Sequence, residues 1–95
     1  MTNLEIIKTI KGIAKRMPKQ FRLTFEDGSH LTPRLSNPFY MTKWTRVTLS
    51  TRSETILNIS IFHDDDCEHM NNIAKSTLEI IISFYRGFTN IHYGL

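Results

Sequence analysis

The chain has 95 residues, of which 40% are hydrophobic and 22% are charged. A chain of this size and composition builds one hydrophobic core, so we expect a single folded domain over residues 1–95. Cys67 is the only cysteine, which excludes an internal disulfide and fits a reducing compartment. We recognise neither a signal peptide nor an apolar run of the roughly 20 residues that span a membrane. The expectation is a cytoplasmic protein without membrane contact.

The charge is distributed unevenly along the chain. The formal net charge is +3, but residues 1–50 hold nine Lys and Arg against three acids, whereas residues 51–95 hold three against six. The first half therefore carries +6 and the second half −3. A basic first half permits an anionic partner without requiring one.

The first predicted element is an amphipathic helix. Thr2 or Asn3 can cap it, the pattern runs to about Arg16, and Pro18 ends it. Its opposite face carries three lysines within about 60° of one another. This stripe is either an ordinary solvated face or a contact for phosphates or an acidic protein surface. The stripe consists of Lys8, Lys11 and Lys15.

Four strands are predicted next. Alternating apolar residues indicate a strand over residues 21–25, and the Asp-Gly pair in residues 26–29 is typical of a hairpin turn. A returning strand over residues 30–35 contains Pro33, which favours a sheet edge. After an aromatic connector at residues 36–43, alternation predicts strands over 44–51 and 55–63.

Strict alternation assigns these strand residues to two faces of the sheet. An outward face with arginines, hydroxyls and a few aromatics suits single-stranded nucleic acid, although threonine is equally common on ordinary exposed strands. A register slip of one residue would invert the contribution of a strand. The inward face consists of Phe21, Leu23, Phe25, Val47, Leu49, Leu57, Ile59 and Ile61. The outward face consists of Arg22, Thr24, His30, Thr32, Arg34, Trp44, Arg46, Thr48, Asn58, Ser60 and Phe62.

A second helix is predicted to open at the three aspartates of residues 64–66 and to run to about Arg86, with Gly87 as its stop. Its apolar side chains cover an arc of about 200°, whereas roughly 100° suffices for packing on one sheet. Either the helix is wedged between the sheet, the first helix and the C-terminal tail, or the excess forms a dimer or partner surface. The residues of that surface are Leu78, Ile82 and Tyr85.

The segment of residues 63–69 (His-Asp-Asp-Asp-Cys-Glu-His) contains several potential metal ligands. Its spacing fits none of the usual zinc patterns, and carboxylates at a helix N-terminus have a simpler role in capping. We find no nucleophile elbow, phosphate-cradling glycine loop or dinucleotide motif. Cys67 near His69 has no orienting third group. We therefore predict no metal, no cofactor and no catalytic residues.

The predicted fold is α+β: two layers, with a four-stranded antiparallel sheet flanked by an N-terminal and a C-terminal helix (α-β-β-β-β-α). The order resembles double-stranded-RNA-binding domains in architecture alone, without a motif match, and we assign no family. The first functional hypothesis is a non-enzymatic inhibitor or regulator that occludes a protein partner, in nucleic-acid metabolism and of the kind mobile elements or phages encode. The alternative is direct single-stranded nucleic-acid binding, and a metal-dependent hydrolase is a distant third. The predicted anionic-partner site consists of Lys8, Lys11, Lys15, Arg22, Arg34, Trp44 and Arg46.

Overall fold

The computed structural model describes residues 1–31 and 41–93, with side chains as far as residue 87. Two helices and a three-stranded antiparallel sheet follow one another in the order α-β-β-β-α, which places the chain in the α+β class. Neither described helix is long and apolar enough to cross a membrane. The elements are α1 (Asn3–Ala14), β1 (Arg22–Leu31), β2 (Met41–Ser50), β3 (Thr55–Phe62) and α2 (Glu68–Tyr93).

Helix α1 begins with a complete capping box. The Thr2 hydroxyl accepts a hydrogen bond from the Glu5 backbone N–H at 3.2 Å, and Glu5 Oε1 accepts one from the Thr2 N–H at 2.9 Å. Hydrogen bonds from the Thr2 backbone N–H and the Thr2 side chain to the Glu5 carboxylate lower the pKa of Glu5 below its usual value, because they favour its ionised form. The helix ends at Ala14, two residues before the predicted Arg16.

The predicted hairpin turn at residues 26–29 is wrong, because β1 runs through it without interruption. Asp27 pairs with Thr45 and Gly28 pairs with Trp44 in a continuous antiparallel ladder. Gly28 has no left-handed φ, so no turn conformation requires glycine here; instead, the Trp44 indole occupies the space of a Cβ. Glycine is therefore required here by the packing of the Trp44 ring and not by a turn.

The described part of the sheet has three strands rather than four. His30 and Leu31, predicted to start a returning strand, continue β1, and residues 32–35 lie outside the described residues. Strand β3 lies where alternation predicts it, but β2 begins at Met41, so residues 41–43 of the predicted connector belong to the strand. The strand order is β1-β2-β3.

The core lies between the sheet and the helices, on the predicted inward face. Val47, Leu49 and Ile61 are fully buried, while the flanking strand residues of that face are half-buried against the same core. From the helices, Ile6, Ile10 and Ile81 contribute fully buried side chains. Alternation thus predicts the inward side of all three strands correctly.

Helix α2 differs from the prediction at both ends. It starts at Glu68, after the aspartates, and continues through Gly87 to Tyr93. A glycine inside a helix costs only about 1 kcal/mol, so it does not stop a helix whose neighbours continue the helical pattern. Residues 88–93, expected to belong to a C-terminal tail, are part of α2, and their side chains lie outside the described ones.

One of the three aspartates, Asp65, serves a junction between elements rather than the start of α2. Asp65 Oδ1 accepts from the Asn3 backbone N–H at 2.8 Å, so this carboxylate caps α1. The Asn3 side chain, only 1% exposed, donates to Phe62 O at 2.9 Å, Asp64 O at 3.1 Å and Asn71 Oδ1 at 3.0 Å. One buried amide therefore ties the start of α1 to the end of β3 and to α2.

Candidate functional site

The sheet face opposite the helices combines aromatic, cationic and hydroxyl side chains. We call it the outer face, and the register shows which residues share it. No described helix packs on it, and its side chains are half-buried or exposed apart from the buried Thr42. The described residues of the outer face are Arg22, Thr24, Glu26, Gly28, His30, Thr42, Trp44, Arg46, Thr48, Ser50, Asn58, Ser60 and Phe62.

An aromatic cluster occupies one end of the outer face. Trp44 lies between Gly28 and Phe62 in the ladder, and its indole leans over Gly28. Trp44 Nε1–H donates to His30 Nδ1 at 3.1 Å, and the His30 ring meets the Phe62 ring edge-on at 6.2 Å between centroids. The hydrogen bond and ring contact hold these three rings in fixed positions from three different strands.

Arg46 extends this cluster with a positive charge. Its guanidinium carbon lies 5.2 Å from the centre of the Trp44 ring, a cation–π distance. The same guanidinium forms an ion pair with Glu26 at 3.6 Å, but the Arg46 side chain remains 43% exposed and Glu26 69% exposed. An exposed pair of this kind is weak, so an anionic ligand can replace Glu26 at the guanidinium.

The predicted lysine stripe lies on the other side of the sheet. Lys8 and Lys11 line a cavity of about 230 Å³ between α1 and the inward face, and Lys11 Nζ lies 5.6 Å from the centre of the Phe25 ring. Lys15 is the C-cap of α1 and is exposed. The structure therefore brings Trp44 and Arg46 together and separates them from Lys8 and Lys11. Arg34 lies outside the described residues.

Three polar residues, from β1, from β2 and from the segment directly after β3, form a row on the inward face. Thr45 Oγ1 donates to Asp27 Oδ1 at 2.6 Å and lies 2.7 Å from His63 Nε2. The bond from Thr45 lowers the pKa of Asp27 below its usual value of 3.8. Thr45 is only 1% exposed, and Asp27, Thr45 and His63 line the same cavity as Lys8 and Lys11. The row connects β1, β2 and the segment directly after β3.

The potential ligands of residues 63–69 do not converge. His63 faces Thr45, Asp65 caps α1, and Asp64 Oδ1 accepts from the Asp66 N–H at 3.1 Å. Within residues 1–31 and 41–93, no three His, Cys, Asp or Glu side chains are grouped to hold a metal ion. The geometry gives the distant hydrolase hypothesis no support.

The apolar arc of α2 is buried at its centre. Ala74, Thr77 and Ile81 are fully buried, and Leu78 is partly buried against the core cluster. Ile82 and Tyr85 are half-buried on the same margin of the arc, whereas Ile80, on the opposite margin, is 41% exposed. Packing within the domain thus accounts for part of the broad arc, and the role of Leu78, Ile82 and Tyr85 as an interface stays a prediction.

Two residues of the site are not predicted from the sequence. Gly28 is predicted in a turn. A glycine that pairs with a tryptophan on the neighbouring strand would have indicated that the ring packs over the glycine backbone. Glu26 was assigned to the same turn, and only the three-strand register places it beside Arg46. Comparison with protein-family models, with curated proteins and with solved structures finds no match to this chain, so the architectural resemblance carries no argument.

Proposed function

We propose that this protein is a small non-enzymatic binding protein that regulates nucleic-acid metabolism by covering its target. The target that the outer face fits best is single-stranded nucleic acid. The observation that carries this proposal is the cluster of His30, Trp44, Phe62 and Arg46 on a sheet face that no described helix covers. Aromatic rings stack with bases of any sequence, and a guanidinium pairs with phosphate.

The chemistry of the outer face supports binding rather than catalysis. Its polar groups are two guanidiniums, the Glu26 carboxylate that pairs with one of them, an imidazole that accepts from Trp44, hydroxyls and an amide. The hydroxyl in contact with both an acid and an imidazole, that of Thr45, is buried on the opposite face. A binding role therefore explains the polar groups of the outer face, and no catalysed reaction is needed to account for them.

Binding is tested with labelled 12-nucleotide DNA and RNA followed by fluorescence anisotropy at low and moderate salt. We expect the affinity to fall as salt rises. Binding releases cations condensed on the strand, and this release is less favourable when the surrounding salt concentration is high. Trp44→Ala removes a stacking ring, which is worth about 1–3 kcal/mol per base, so affinity should fall about 5- to 150-fold.

Charge reversal separates the outer face from the lysine stripe. Arg46→Glu should weaken oligonucleotide binding and reduce its salt dependence, because one phosphate contact is lost. Lys8→Glu changes the net charge equally but lies on the helix side, and we expect a much smaller effect. If the two variants behave alike, or if the native protein binds no oligonucleotide at low salt, the outer face is not a nucleic-acid site.

A second candidate function is occlusion of a protein partner through α2. The exposed Ile80 on one margin of the helix, and the half-buried Ile82 and Tyr85 on the other, favour it. Ile82→Glu should abolish capture of such a partner, or a concentration-dependent dimer, while oligonucleotide binding stays intact. A partner or dimer contact that survives both Ile82→Glu and Leu78→Glu would exclude this surface.

A further inference from the structure

A second group of basic residues lies at the far end of the sheet from residues 31 and 41. There, the start of β1, the end of β2 and the turn to β3 surround a cavity of about 400 Å³. We call it the basic trough. Its lining residues are Lys19, Gln20, Arg22, Ser50, Thr51 and Arg52.

The lining has the composition of an anion site. Three of the six residues are cationic, two carry hydroxyls, one carries an amide, and none is acidic. An adjoining cavity of about 390 Å³ shares Lys19, Gln20, Thr51 and Arg52 and adds Ser53. Arginine and lysine with hydroxyl donors are the groups that bind phosphate oxygens in proteins. A volume near 400 Å³ lies within the range of about 300–1,000 Å³ typical of small-molecule sites.

The backbone holds these groups in register. Arg22 and Ser50 are partners in the β1–β2 ladder and lie on the outer face, and the Thr51 N–H donates to Glu54 O at 2.9 Å to close the turn that carries Arg52. Arg22 therefore belongs both to the outer face and to the basic trough. The two surfaces are continuous along β2.

We propose that the basic trough binds a phosphate group, and that this phosphate belongs to the strand which, on the proposed function, lies across the outer face. Ser50 is four residues from Arg46 along β2, a distance of about 14 Å at roughly 3.4 Å per residue. A stacked single strand rises about 3.4 Å per nucleotide, so about four nucleotides connect the aromatic cluster to the trough. The trough fixes the path of the backbone while the rings stack with the bases.

The first arm of the test uses inorganic phosphate as the probe, at constant ionic strength, followed by amide chemical shifts. We expect shifts concentrated in residues 19–22 and 50–53, and their loss in Arg52→Glu. Arg52 is exposed on a turn, so its replacement leaves the core intact. Lys75→Glu, an equal charge change on exposed α2, is the matched control and should leave the phosphate shifts unchanged. Shifts that are absent, or equal in both variants, would overturn the proposal.

The second arm uses the labelled oligonucleotide. Arg52→Glu should lower its affinity about tenfold or more and reduce the salt slope by about one, because a charged phosphate contact is lost. Equal affinities for Arg52→Glu and Lys75→Glu would remove the basic trough from the nucleic-acid path. If the native protein binds phosphate in the trough but no oligonucleotide, the proposed function fails while the phosphate site stands.

Discussion

Replacement of Gly28 by alanine tests how the outer face is built. A Cβ at this position would overlap the Trp44 indole, with Cε2 at 2.7 Å. The backbone of Gly28 is not left-handed, so the methyl group meets no conformational penalty, and the whole cost arises from this contact. To relieve the overlap, the indole must move away from its hydrogen bond with His30 and its contact with Arg46.

The magnitude follows from two opposing effects. Overpacking costs about 1–3 kcal/mol, whereas loss of a glycine from the unfolded chain returns about 0.4–1 kcal/mol. Because the half-buried indole can move outward, we expect a net loss of about 1–2 kcal/mol in the free energy of unfolding, and a fall in Tm of roughly 5–10 °C for a domain of this size.

A double-mutant cycle with Trp44→Ala isolates the contact. Without the indole, Gly28→Ala should be neutral or stabilise by about 0.5 kcal/mol, so the coupling energy is about 1–2.5 kcal/mol. Urea unfolding followed by far-ultraviolet circular dichroism measures all four proteins, because this signal does not depend on the tryptophan. Equal effects of Gly28→Ala with and without Trp44 would refute the packing argument.

Three further outcomes are expected. Asn3→Ala should lower the free energy of unfolding by about 2–4 kcal/mol in urea titrations, because it leaves buried acceptors without a donor, and a loss below about 1 kcal/mol would contradict the junction. Thr45→Val should raise the pKa of Asp27 toward 3.8 in a carboxyl-carbon NMR titration. Because the pKa of Asp27 is lower in the folded protein, ionised Asp27 stabilises the fold above about pH 4, and this stabilisation is lost as the pH falls through the folded pKa. In Thr45→Val, the loss of stability at acidic pH that comes from Asp27 should therefore be smaller. Glu26→Gln should strengthen oligonucleotide binding in anisotropy, because it frees Arg46 and removes a negative charge; weaker binding would contradict the proposed role of Arg46.

The α+β class and the inward face of the sheet follow directly from the periodicity of the apolar residues. Two amphipathic helices and two long alternating segments can bury their apolar side chains together in few ways. The turn at residues 26–29 was wrong for a physical reason. Asp-Gly favours a hairpin through local backbone preference, but a cross-strand tryptophan needs the same glycine for space, and sequence alone does not distinguish the two demands.

The candidate site was predicted only in part. Alternation alone places Trp44 and Arg46 on the same outward face. Lys8 and Lys11 were grouped with these residues by charge alone, although α1 packs on the apolar inward face and these lysines lie on the other side of the sheet. The capping role of Asp65 also escaped prediction, since it acts on α1 from 62 residues away in the chain.

Trp44 is the only tryptophan in the chain, and it lies on the outer face, so its emission reports directly on the central proposal. The decisive measurement is titration of the native protein with unlabelled single-stranded oligonucleotide at low salt, followed by tryptophan fluorescence. The proposal predicts saturable quenching with the same Kd as anisotropy, reversed as salt is added. Oligonucleotide binding by anisotropy with unchanged Trp44 emission would place the strand elsewhere on the protein and contradict the proposal.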